Sequence, residues 1–99
     1  MATLITTIGA TGTLHPTAGV NYNAGEANLI FQGSFNSKTI NVQASFDDGG
    51  TFIDLNDESG NPIAITQNSI ILVNLGGCKL RFKTSAALGA GNEVQVRIA

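Results

Sequence analysis

Nucleophilic catalysis needs a base within reach of the nucleophile, and this chain offers one histidine, His15, and one cysteine, Cys78. His15 precedes Pro16 in a stretch rich in Thr, Ala and Gly, whereas Cys78 alternates with Leu80 and Phe82. That alternation predicts an inward-facing thiol that behaves as a small hydrophobe. A lone cysteine also forms no internal disulfide, so the fold must hold by packing and hydrogen bonds. Of the seven carboxylates, Asp47, Asp48, Asp54, Asp57 and Glu58 fall within one short stretch and could offer oxygen ligands to a hard cation. Their spacing lacks the Asp-x-Asp-x-Asp-Gly order of an EF-hand loop. Asp and Asn at chain reversals satisfy backbone N–H groups, so turn chemistry accounts for them better and no metal is expected. The glycines at Gly9, Gly12, Gly89 and Gly91 open no helix, and no Gly-Lys-Ser/Thr follows them, so no phosphate cradle can be built. The residues therefore give no catalytic, cofactor-binding or metal site, and the expectation is a protein that is not an enzyme and carries no cofactor.

Composition points the same way. Apolar residues make up 42% of the 99 residues and charged ones only 12%, against about 25% charged in an average soluble domain. Disorder requires low hydrophobicity and high charge, the opposite balance. Five Lys plus Arg against seven Asp plus Glu give a net charge of −2, without the basic excess that a phosphate backbone demands, so nucleic acid is not an expected partner. The residues from Met1 to Thr7 have no Lys or Arg ahead of their apolar positions and do not read as a secretory leader. The longest strongly apolar run, Ile70 to Val73, is far short of the ~20 residues of a membrane-spanning helix, and no membrane partner is expected.

Positioning any surface residue falls to strands. From Lys38 to Phe46 the chain alternates, with Ile40, Val42, Ala44 and Phe46 on one face and Thr39, Asn41, Gln43 and Ser45 on the other, the period of a half-buried strand. Asp47-Asp48-Gly49-Gly50 then specifies a tight reversal into Thr51 to Leu55, completing a hairpin. Ala27 to Phe35 reads as a partly buried strand whose Gly33 marks a bulge or a close backbone approach. Ser69 to Leu75 reads as a buried strand stopped by Gly76-Gly77, and Cys78 to Lys83 as its hairpin partner. Val94, Val96 and Ile98 alternate in a last strand, after a small-residue loop from Ser85 to Asn92. No window shows a helical period. Short strands separated by Gly- and Asn-rich turns indicate an all-β fold, a small antiparallel β-sandwich of the Ig-like or jelly-roll-like kind over residues 26–99. Residues 1–25 stand apart as an extended N-terminal arm, with His15-Pro16 interrupting any strand and Asn21 to Gly25 forming a hinge.

The segment Ser45-Phe46-Asp47-Asp48-Gly49-Gly50-Thr51-Phe52 is similar to the Asp-box, Ser-x-Asp-x-Gly-x-Thr-aromatic, of sialidase propeller blades and other β proteins. That resemblance implies a locked hairpin, with the Asp accepting turn amides and the aromatic packing beneath, and no hydrolysis. A propeller would need several copies, and this chain has one. The wider pattern comprises Gly33-x-Phe35, Ile40-x-Val42-Gln43-x-Ser45-x-Asp47-x-Gly49-Gly50-Thr51-Phe52, Leu80-Arg81 and Val94-x-Val96-x-Ile98. Over residues 27–98 it resembles small β-sandwich virion proteins of tailed bacteriophages, which usually have Trp where Phe52 stands here. The resemblance implies a capsid decoration, or cement, protein on the exterior of a virion assembled in the host cytoplasm, with the major capsid protein or other virion proteins as partners. A tail or fibre accessory protein is the close alternative. A carbohydrate-binding module is the rival from another class, and the inward positions expected for most of the five Phe weigh against it.

Two docking elements are expected. Lys79, Arg81, Lys83 and Arg97 hold four of the five basic charges, and alternation projects them from one face of the last two strands, away from the acidic stretch. Leu4, Ile5, Ile8 and Leu14 in the arm need a surface to cover. Strand exchange or addition to a neighbour would supply it and make a dimer or trimer, with an intrachain first strand as the equal alternative.

Overall fold

The computed structural model describes residues 2–57 and 59–99, so Glu58 of the acidic stretch lies outside the described residues. Nine strands are placed: β1 (Thr3–Ile8), β2 (Leu14–Tyr22), β3 (Gly25–Gly33), β4 (Ile40–Ser45), β5 (Ile53–Asp54), β6 (Ala64–Ile65), β7 (Ser69–Leu75), β8 (Cys78–Thr84) and β9 (Val94–Ile98). They form two antiparallel sheets. One runs β1-β9-β3-β7; the other runs β2-β8-β4-β5, with β6 also paired to β4. The fold is the small β-sandwich that the short alternating strands indicate.

Each inner face follows from the period of two. Leu29 and Phe31 of β3 and Val94 and Val96 of β9 meet Ile40, Val42 and Ala44 of β4 and Leu80 and Phe82 of β8 in one buried core. The rings of Phe31 and Phe82 make an edge-to-face contact across the sandwich, 5.6 Å between centroids and 81° between planes. Leu88, inside the small-residue loop, is also fully buried. That loop closes one end of the sandwich, anchored by a hydrogen bond from Asn36 Nδ2 to the Leu88 carbonyl and by one from the Gly89 N–H to the Ala10 carbonyl. Gly33 marks a close approach: a β-carbon there would collide with the Glu93 carbonyl.

Four expectations are corrected. First, residues 2–25 are not set apart from the sandwich in this structure, which takes the intrachain alternative for the first strand. β1 pairs β9 and β2 pairs β8 within the chain, which buries Ile8 and Tyr22. Pro16, which lacks an N–H for the ladder, is tolerated because the β2–β8 register is interrupted between His15 and Val20. The segment expected to be a hinge is instead a short link between the sheets, and the Tyr22 hydroxyl donates to the Gly25 carbonyl across it. Second, β7 and β8 are not a hairpin. Gly76-Gly77 carries the chain from one sheet to the other, so β7 pairs β3 while β8 lies between β2 and β4. Third, β7 is not buried. It ends its sheet, and only one face of it meets the core. Ile71, Val73 and Leu75 turn inward, while Ile70 and Leu72 are 68% and 62% exposed. An apolar run of this length does not distinguish a central strand from an apolar edge. Fourth, Phe46 does not continue the inner face of β4. The strand ends at Ser45, and the ring is 56% exposed.

The two rings that join the sheets dominate the core. Phe82→Ala should therefore destabilise the chain by about 3–5 kcal/mol, read as a lower midpoint in urea unfolding. Truncation of exposed Leu72 to Ala should leave the midpoint nearly unchanged.

Candidate interaction surfaces

The β4–β5 hairpin is locked by side chains. Ser45 Oγ donates to Asp47 Oδ1 at 2.7 Å, the Thr51 N–H donates to the same oxygen at 2.8 Å, and the Gly49 N–H donates to Ser45 Oγ at 2.9 Å. Gly49 has φ +90°, a conformation that side chains rarely adopt. Gly50 is small for a different reason: a β-carbon on it would press against the Asp47 carboxylate at 3.1 Å. The hydroxyl of Ser45, then the Thr51 N–H, hold the Asp47 carboxyl below its ordinary pKa.

Phe52, the aromatic of this segment, does not enter the core. Its ring lies over Gly19 of β2, where a β-carbon would crowd it at 2.9 Å, and under the Arg81 guanidinium, 3.9 Å from the ring centroid. The outer face of this sheet thus carries its own small layer. Arg81 Nε donates to Gln43 Oε1 and Gln43 Nε2 donates to Asp54 Oδ1, both at 2.9 Å. A continuous polar row results across β8, β4 and β5, the register opposing Arg81 to Gln43 and Gln43 to Asp54. Gln43, expected on a solvated face, is buried by this cover.

The basic residues do not share one face. Lys79, Arg81 and Lys83 alternate outward on β8, but Arg97 lies on β9 in the other sheet, opposite Leu4 and Ile30. Nor are charges of opposite sign segregated. Lys79 sits 3.5 Å from Asp48, and Arg81 is linked through Gln43 to Asp54. Lys83 is the member of the set that projects from the sheet with an exposed side chain. Asp57 accepts from the N–H groups of Ser59 and Asn61 in its own turn. Among the described residues no three His, Cys, Asp or Glu side chains converge.

His15 Nε2 is 3.1 Å from the Gly12 carbonyl and opposes Phe82, whereas Cys78 opposes Tyr22 at the other end of β8. The two are not partners, and burial raises the Cys78 thiol pKa. Of the apolar arm residues, Ile8 is in the core, Ile5 packs against it, Leu14 is half-buried beside Lys83, and Leu4 is 47% exposed on the outer face.

Sequence reasoning missed the exposed apolar groups, which lie in two places. Ile70 and Leu72 stand on β7; Ile70 is in line with Ile30, Arg97 and Leu4 across the outer face of their sheet, and Leu72 opposes Asn28. Phe46 and Ile53, each 56% exposed, flank a cleft at the β4–β5 corner together with Ala44, Asp47 and Thr51. Ile53 opposes buried Ala44, so this corner extends beyond the core's cover. No family model, curated protein or solved structure matches this chain.

Gly49→Val should cost about 1–3 kcal/mol by forcing a β-branched residue to positive φ, seen as reduced soluble yield and a lower thermal midpoint. The ionised form of Asp47 is the one the hairpin binds, so its stabilisation is complete above the ordinary carboxylate range. It fades as pH falls through that range toward the lower folded value. Between about pH 5 and about pH 2, the thermal midpoint of the wild type should fall more than that of Asp47→Asn, which has no charge to lose there.

Proposed function

We propose that this protein is a non-enzymatic virion structural protein of a tailed bacteriophage, a cement protein that binds the outer surface of an assembled shell and braces neighbouring subunits. The observation that carries the reading is the presence of two separate exposed apolar surfaces on one small, sparsely charged domain, Ile70 and Leu72 on one sheet and Phe46 and Ile53 at a corner of the other. Exposed apolar patches rimmed by polar residues mark protein interfaces, and bracing requires two of them. The resemblance of residues 27–98 to phage β-sandwich virion proteins supports the same class. Binding that is confined to the assembled lattice stabilises it by mass action, repeated over many sites without any chemical step.

Lys83 offers a further contact to an acidic subunit surface, whereas Lys79 and Arg81 are engaged within the molecule. A tail or fibre location would use the same two surfaces. A glycan-binding reading is favoured by one observation, the outward ring of Phe46 beside Asn21, Asn23 and Asp48 in a shallow cleft, because sugars stack on exposed aromatic faces.

Reconstruction of purified particles tests the proposal. The expected result is density for the sandwich on the shell exterior at a fixed ratio to the capsid subunit, and particles lacking the protein should lose integrity at lower temperature. Absence of the chain from purified particles overturns the reading. Lys83→Glu should lower occupancy on particles without changing the thermal midpoint of the isolated protein. Phe46→Ala should leave occupancy intact if Phe46 serves glycan instead, and should then abolish retention on an oligosaccharide column.

A further inference from the structure

Asp48 is the one Asp or Asn in the chain that precedes a glycine. The main-chain nitrogen after an aspartate can attack that aspartate's own carboxyl group, and the side chain of the following residue is the usual obstacle. Gly49 presents none. The hydrogen bonds of the hairpin region then separate Asp48 from the other carboxylates. Asp47 Oδ1 accepts from Ser45 and Thr51, Asp54 Oδ1 from Gln43, and Asp57 Oδ1 from Ser59 and Asn61. The Asp48 side chain is 93% exposed, and its contact among the described residues is the Lys79 ammonium at 3.5 Å. It is therefore able to rotate toward its own main chain. Asn36 and Asn68, each of which precedes a serine, are tied by comparison: Asn36 donates to the Leu88 carbonyl, and Asn68 accepts from the Gly33 N–H. The backbone adds a driving force. Asp48 has φ +60°, a left-handed conformation that is strained for a residue with a β-carbon.

We propose that Asp48-Gly49 is a self-modification site, at which the chain slowly converts Asp48 to isoaspartate and thereby unlocks the β4–β5 hairpin. The Gly49 nitrogen, giving up its proton, attacks Asp48 Cγ in its carboxylic acid form. A C–N bond forms, a C–O bond breaks, and the hydroxyl leaves as water from a five-membered succinimide ring. One water then adds back. Opening the ring at Cγ restores aspartate, whereas opening it at the Asp48 main-chain carbonyl leaves the chain running through the former side chain. No atom is gained or lost overall, and no oxidant or cofactor takes part. The Gly49 N–H is engaged with Ser45 Oγ, so the attack proceeds from transient openings of the turn and is slow. The product relieves the left-handed strain, because its main chain passes through the β-carbon. It also places one more atom in the chain between Ser45 and Gly49 and between Asp47 and Thr51, the two pairs whose bonds close the turn. Those bonds lose their register, and Phe52 loses its fixed seat between Gly19 and Arg81.

The inference does not rest on the virion reading, since it is measured on the isolated protein without particles. Purified wild type, held at neutral pH over days to weeks, should accumulate isoaspartate at residue 48 with no change of mass. Labelling by an isoaspartyl methyltransferase reads its amount, and fragmentation of the peptide that contains residue 48 reads its position. The labelled fraction, separated by ion exchange, should unfold at a lower thermal midpoint than the unlabelled one. Asp48→Gly removes the reacting carboxyl and suits the positive φ, so it should stay folded by circular dichroism and take no label. Asp48→Asn should reach the same ring with loss of ammonia and accumulate isoaspartate several-fold faster. Aged wild type without isoaspartate at residue 48 overturns the proposal, as does equal labelling of wild type and Asp48→Gly. So does a labelled fraction whose thermal midpoint matches that of the unlabelled protein, and the peptide position in the wild type decides the matter if a variant fails to fold.

Discussion

The edge-to-face contact of Phe31 and Phe82 is the joint on which the two sheets depend. The chain passes from one sheet to the other at nearly every link: β1, β3, β7 and β9 belong to one sheet, while β2, β4, β5, β6 and β8 belong to the other. Successive strands are therefore opposed across the core more often than they are bonded side by side. Neither sheet can be assembled from a continuous piece of chain, and what keeps them in register is the apolar layer between them. Phe31 and Phe82 are the largest fully buried side chains of that layer, so their fit sets the spacing to which the smaller Val and Ile side chains conform.

A second layer, on the outside of the β2–β8–β4–β5 sheet, makes the surface stiff where the sequence suggests a projecting basic face. Phe52 is held between Gly19 and the Arg81 guanidinium, and Arg81 in turn fixes Gln43 and Asp54. A guanidinium stacked on a ring and bonded at its edge keeps its charge but gives up rotamer freedom. The Asp-box-like hairpin thus has two structural roles. It closes the turn through Asp47, and it delivers Phe52 to the outer face.

Much of the architecture is legible in the sequence. The period of two gives the core faces of β3, β4, β8 and β9, and the turn chemistry around Asp47 and Gly49 gives the hairpin. What is not legible is which strand pairs with which. Gly76-Gly77 is as compatible with a crossing between sheets as with a hairpin, because the same short glycine link serves both, and only long-range packing decides. The arrangement of the basic residues fails for the same reason: alternation tells that Arg81 and Arg97 both point outward, but not that they lie on opposite sheets. The apolar sequence of β7 is ambiguous because hydrophobicity alone does not separate a strand flanked on both sides from one that ends its sheet. The N-terminal region reads as detached because its partners, β8 and β9, lie more than fifty residues further along the chain. For the candidate surfaces, the sequence contains the residues but not their exposure; Phe46 and Ile53 sit in patterns that elsewhere in the chain are buried.

The pairing of β1 with β9 has a consequence for how the chain comes into being. Among the described residues β1 has as its ladder partner β9, more than eighty residues later in the chain, with Thr3 opposing Ile98 and Ile8 opposing Val94. Until residues 94–98 have been synthesised, Ile5 and Ile8 have no place in a sheet, and the middle strands must collapse without them. Vectorial synthesis therefore yields a partly closed sandwich with one wet apolar ribbon, a species prone to associate with its neighbours on a polysome. Closure is a late event whose rate is set by bringing β1 and β9, distant in sequence, together.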